Sequence, residues 1–165
     1  MNTGQTMLTL LAMMMLTLLS VRMNTALLRT QDTMQNSKFG LAAISLATSV
    51  IENANKLAFD EASTENSITS TGDLTPISYL GKDAGETKPS QYDDFDDYNN
   101  YQHDETTLAS AAYHISCKVS YVNALTPNVD ANSPTFNKKL TVSVSSISMQ
   151  DTIKINTIFS YWYFR

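Results

Sequence analysis

The sequence predicts an α+β fold, in which a long N-terminal α-helix packs its C-terminal half on a small antiparallel β-sheet head. Three observations carry this reading. Residues 3–21 (TGQTMLTLLAMMMLTLLSV) hold no charged side chain and no Pro. Residues 39–58 repeat apolar side chains at three- and four-residue steps, the period of a helix with one buried face. From residue 113 onward the apolar period changes to two, the signature of half-buried strands.

The first element is the uncharged run. Leu and Met dominate it, and both are good helix formers. At ~1.5 Å per residue it covers ~30 Å, the thickness of a bilayer's hydrocarbon core. Met7, Leu8, Leu10, Leu11, Met13, Met14, Met15, Leu16, Leu18, Leu19 and Val21 are the residues expected to enter lipid or a core of like helices. The Met13-Met14-Met15 run suits contact with several neighbours, because Met is pliable and fills irregular gaps. Thr6, Thr9, Thr17 and Ser20 can return their hydroxyls to the i−4 carbonyl, which makes them tolerable in an apolar phase. A removable signal peptide fits less well. No Lys or Arg precedes the run, and no small-residue cleavage pattern follows it.

From Arg22 to Asp60 there is no Pro, and Gly occurs only at Gly40. Residues 29–38 (RTQDTMQNSK) are polar nearly all round, as in a helix bridging two packed regions. Beyond them one apolar row runs Phe39, Ala43, Leu46, Val50, Ala54, Leu57 and a second runs Leu41, Ile44, Thr48, Ile51, Ala58. The expectation is one helix over residues 4–60, ~80–90 Å long. Residues 1–38 would project as the hydrophobic segment, and residues 39–165 would form the head. The alternative is two helices broken within 36–40.

Residues 60–112 read as an irregular acidic loop, with Ser, Thr, Asn, Asp and Gly throughout and Pro76 and Pro89 excluding long elements. Inside it, YDDFDDYNNY at 92–101 interleaves rings with acids, so the rings are expected to anchor while the carboxylates face outward. Asp93, Asp94, Asp96 and Asp97 are the candidate ligands for Ca²⁺, a hard cation that takes six to eight oxygens. The run lacks the spacing and distal Glu of a helix–loop–helix calcium site, so a solvated acidic loop is the alternative. The sheet follows at 113–165, with strands at 113–122, 139–148 and 152–164. Tyr113, Ile115, Cys117, Val119 and Tyr121 share one face of the first, and Leu140, Val142 and Val144 one face of the second. Ile153, Ile155, Thr157, Phe159, Tyr161 and Tyr163 share one face of the third. Short links make this an antiparallel meander.

Composition excludes several functions. The net charge is −5 and the Lys and Arg residues are scattered, so nucleic acid is not an expected partner. The single Cys117 rules out an intrachain disulfide framework and a Cys-rich zinc site, and its place on the apolar strand face suits a buried small hydrophobe. His103 and His114 join no catalytic triad pattern or zinc spacing, so no catalytic residue is expected and the chain does not read as an enzyme.

The order of uncharged helix, amphipathic extension, variable loop and antiparallel sheet resembles a type IV pilin or pilin-like protein. The start Gly4-Gln5-Thr6-Met7-Leu8 is similar to the glycine-then-hydrophobic site cut by prepilin peptidase, which makes Gly4 and Gln5 the candidate processing site. The family's acid five residues after the cut is replaced by Thr9, or by Gln5 if Met1 is the mature terminus. The resemblance implies a structural subunit that waits in the inner membrane. It then enters an extracellular helical filament as a homopolymer, handled by pilus assembly machinery. The alternative is a single-span anchored pseudopilin or binding module that does not polymerise.

Overall fold

The computed structural model describes residues 2–161. Helix α1 is one uninterrupted element, Thr3–Ala54, of 52 residues. It passes through Gly40 without a break, so the two-helix alternative falls. It stops at Ala54, short of residue 60: the chain tightens into a turn through Lys56 N to Asn53 O and Leu57 N to Ala54 O, Ala58 pairs with Asp94, and Asp60 then caps a second helix. The Asp60 carboxylate accepts from Ala62 N, and Ser63 Oγ returns to Asp60 N, which starts α2 at Glu61–Glu65. The chain divides after Lys38 into two units, the first being helix alone.

The sheet has five strands: β1 (Gln102–Glu105), β2 (Tyr113–Asn123), β3 (Thr126–Asp130), β4 (Asn137–Ser145) and β5 (Ile153–Ser160). Their order is β1-β2-β4-β5, all antiparallel, and β3 pairs with the far end of β2. The three expected strands are β2, β4 and β5. Two more were not expected: QHDE and TPNVD carry no apolar alternation and draw their order from pairing with β2. Pro127 is tolerated in β3 because an edge strand leaves one side of its backbone unpaired. Trp162, Tyr163 and Phe164 lie outside the described residues.

The strand faces divide as their period dictates. Tyr113, Ile115, Cys117, Val119 and Tyr121 of β2, and Leu140, Val142 and Val144 of β4, are buried. Ile153, Ile155 and Phe159 of β5 complete the sheet's share of the core. The helix brings Ala43, Ala47 and Ala54 fully into that core, with Leu46, Val50 and Ile51 packed beside them. The second apolar row is corrected over its first three members: Leu41 is 70 % exposed and Ile44 and Thr48 are also exposed, while Ala47 is buried. Small side chains occupy the centre of the contact, and bulkier ones flank it. The 60–112 segment is irregular, with 3₁₀ turns at Thr71–Asp73, Ile77–Tyr79 and Asp96–Tyr98, yet Ile68, Leu74, Leu80, Tyr92, Phe95 and Tyr98 are all buried.

Candidate functional site

The run at 92–101 folds inward rather than lying on the surface. Tyr92, Phe95 and Tyr98 are buried as the ring pattern predicts. Phe95 stacks on Phe159 at 5.0 Å, and Tyr92 meets Tyr98 edge-on at 5.2 Å. The expectation that the carboxylates face outward is wrong for Asp94, Asp96 and Asp97, all of which are buried. The reason is local. A tight 3₁₀ turn leaves several backbone N–H groups without carbonyl partners, and short acidic side chains supply them. Asp94 Oδ1 accepts from Asp96 N at 2.8 Å and Asp97 N at 3.2 Å. Asp97 Oδ2 accepts from Asp93 N at 3.1 Å and Asp94 N at 3.2 Å.

At the centre stands Lys138, with 0 % of its surface exposed. Its Nζ donates to Asp60 Oδ2 at 2.8 Å, to Phe59 O at 2.8 Å and to Asp96 Oδ1. The rings of Phe59 and Tyr121 lie 4.8 Å and 5.4 Å from Nζ. Asp60 is also fully buried, and it accepts from Tyr121 Oη at 3.0 Å and from Thr75 N and Oγ1. Tyr121 Oη lies 2.8 Å from Thr75 O.

The environment pushes these acids apart. Burial raises the Asp60 carboxyl, but the Lys138 ammonium and the donors from Thr75 and Tyr121 outweigh it and hold the group below the ordinary carboxylate range. Burial and the neighbouring Asp96 push Asp94 up to about 9, against the pull of Lys138. Burial also raises Asp96, again against Lys138. At neutral pH the cluster therefore holds an anionic Asp60 and a protonated Asp94 beside Asp96.

The four candidate calcium ligands separate. Asp94 and Asp96 belong to the Lys138 interior, whereas Asp93 and Asp97 come together with Glu86, with one oxygen from each within 4.8 Å of the others. These three carboxylates could hold a cation, with other oxygens completing the six to eight that Ca²⁺ takes. Burial, and then Glu86, raise Asp97 to about 7 against two backbone donors. Cys117 is buried on the β2 apolar face, and desolvation pushes its thiol up to about 12, as expected for an inert side chain. His114 Nδ1 lies 2.6 Å from Asp104 Oδ1 on the exposed strand face.

The second candidate is the surface of α1. The eleven large apolar residues from Met7 to Val21 are exposed all round the helix, from 54 % at Leu18 to 74 % at Met7. Thr6, Thr9 and Thr17 satisfy their hydroxyls within the helix, on the i−3 rather than the i−4 carbonyl, at 2.8–2.9 Å. Gly4 and Gln5 lie exposed in the first turn. The segment is long and apolar enough to cross a bilayer by length and composition.

The chain matches no family model, no curated protein and no solved structure. The fold and its sites therefore stand on their own geometry.

Sequence reasoning missed Lys138 and Asp60. For Lys138 the signal was present: it continues the alternate-residue row of Leu140, Val142 and Val144 and so takes their inward face. A lysine at a core position of a central strand asks for a buried acid. Nothing in the sequence marks Asp60 as that acid, since it lies 78 residues away.

Proposed function

We propose that this protein is the structural subunit of an extracellular helical filament resembling a type IV pilus. The observation that carries the reading is the uncharged segment of α1, whose Leu and Met side chains stand exposed on every side of the helix. A helix apolar all round needs an apolar environment on every side. Lipid supplies it before assembly, and identical helices supply it afterwards. Each large apolar side chain fully buried contributes roughly 1.5–3 kcal/mol, so the eleven from Met7 to Val21 outweigh any plausible contact between heads. The head, built on an α+β plan, would form the filament's outer layer. Thr9 and Gln5, which stand where the family's acid is expected, are neutral. Subunit register would then rest on apolar packing and neutral hydrogen bonds, which avoid the cost of burying an unpaired charge.

Negative-stain microscopy of material sheared from producing cells tests this. Filaments that react with antibody to the head are the expected result. Leu11→Asp should abolish them, since an Asp at a helix centre costs about 2.5–3.5 kcal/mol in an apolar phase. A protein that stays monomeric and membrane-bound under all conditions overturns the reading in favour of an anchored module that does not polymerise.

A further inference from the structure

We infer that Lys138 and Asp96 are joined by an intrachain amide bond, formed between Nζ and Cγ with loss of one water in the folded head. The inference rests on the geometry of the head and is independent of the filament reading.

The groups that such a reaction needs are all present and buried. Lys138 Nζ, the nucleophile, lies directly against Asp96 Oδ1. Asp60 Oδ2, 2.8 Å from the same Nζ, is an anionic base held in place by Tyr121 and Thr75. Asp94 is the acid. Its Oδ1 is fixed by the backbone N–H groups of Asp96 and Asp97, and its carboxyl meets that of Asp96. Burial keeps a proton on Asp94 up to about pH 9. Phe59 and Tyr121 cover Nζ and exclude the water that would favour hydrolysis.

The reaction balances without an outside reagent. Asp60 takes one proton from the Lys138 ammonium, and Asp94 gives its proton to the Asp96 carboxyl. The Nζ lone pair adds to Asp96 Cγ, forming the C–N bond. The C–O bond then breaks, and the oxygen leaves as water with a second proton from Nζ. Asp60 and Asp94 are left sharing one proton. In sum, one ammonium and one carboxylate become one amide and one water, with no change of oxidation state.

The charges favour this over an ion pair. A lone buried lysine needs one carboxylate, yet two acids contact this one and a third, Asp94, lies beside Asp96, where burial favours its protonated form. Amide formation removes an ammonium and a carboxylate from a dry site, where their desolvation is costly. The product would fasten the irregular 60–112 segment to central strand β4 across 42 residues of chain.

The test is mass spectrometry of the denatured full-length protein after tryptic digestion. The expected product is a branched peptide joining residues 83–118 to residues 119–139, lighter by one water than its two parts and uncut after Lys138. Fragmentation should place the bond at Asp96. Lys138→Arg and Asp96→Ala should abolish the branched peptide. Asp94→Asn keeps an oxygen for the Asp96 and Asp97 N–H groups but loses the proton, and should slow its appearance about a hundredfold or more. Two unlinked peptides of full mass from the wild-type chain, with cleavage after Lys138, overturn the inference and leave an ordinary buried ion pair. A bond mapped to Asp60 overturns the assignment of roles.

Discussion

Asp97 shows how far an environment can move one carboxyl. It sits beside Glu86 and Asp93, accepts two backbone N–H groups, and has its proton affinity raised to about 7, chiefly by burial. An unfolded Asp titrates near 3.9. The folded protein therefore binds a proton that the unfolded chain releases. The stability this group contributes is full below about pH 4 and is lost as pH rises through about 7. Asp97→Asn preserves an acceptor oxygen and removes the titration. Urea midpoints measured across pH 4–8 should fall less steeply in the variant than in the wild type. The difference in slope is at most one proton, about 1.4 kcal/mol per pH unit. Superimposable profiles would show that Asp97 ionises like an ordinary surface acid. Asp130 behaves in the opposite sense: hydrogen bonds from Lys118 and Lys139 hold it well below the usual range on the solvent face.

At the scale of elements, the helix–sheet contact depends on small side chains. Ala43, Ala47 and Ala54 are fully buried against the core, so their size sets how closely α1 can lie. Ala47→Leu adds three carbons where no space exists and should cost about 1–3 kcal/mol. Leu41→Ala removes an exposed side chain and should change stability by less than about 0.5 kcal/mol. Chemical denaturation of the detergent-solubilised full-length protein distinguishes the two. Equal effects would mean that the apolar row through Leu41, not the alanine row, faces the core. Legibility differed between elements for the same reason. The helix, β2, β4 and β5 could be read because each buries a face at its own period. β1 and β3 could not, because their order comes from hydrogen bonds to β2 and not from any apolar pattern of their own.

For the whole molecule, the proposed filament makes a claim about residues 22–38, the part of the first unit that follows the uncharged run. Arg22, Arg29 and Lys38 are exposed on a continuous helix and present cleavage sites for trypsin. In assembled material neighbouring helices would cover that stretch. Trypsin should then leave filaments intact at these residues while cutting the detergent-dissociated protein. Equally fast cleavage in both would place residues 22–38 outside any packed core, as in a simple tether.

The sequence by itself determined the features that repeat locally. Charge-free Leu and Met over residues 3–21 dictate an apolar helix, and alternation over residues 113–122 dictates a strand with one buried face, because both follow from the geometry of neighbouring residues. Only the tertiary structure decided what the acidic run does. The pattern YDDFDDYNNY reads as rings in and carboxylates out until β4 delivers Lys138 into the same interior, 42 residues from Asp96 and 78 from Asp60. No local period encodes a meeting over such distances. The acids turn inward because a buried ammonium and a row of free backbone N–H groups bind them more strongly than water does, and those partners come together only when the sheet and the loop have folded against each other.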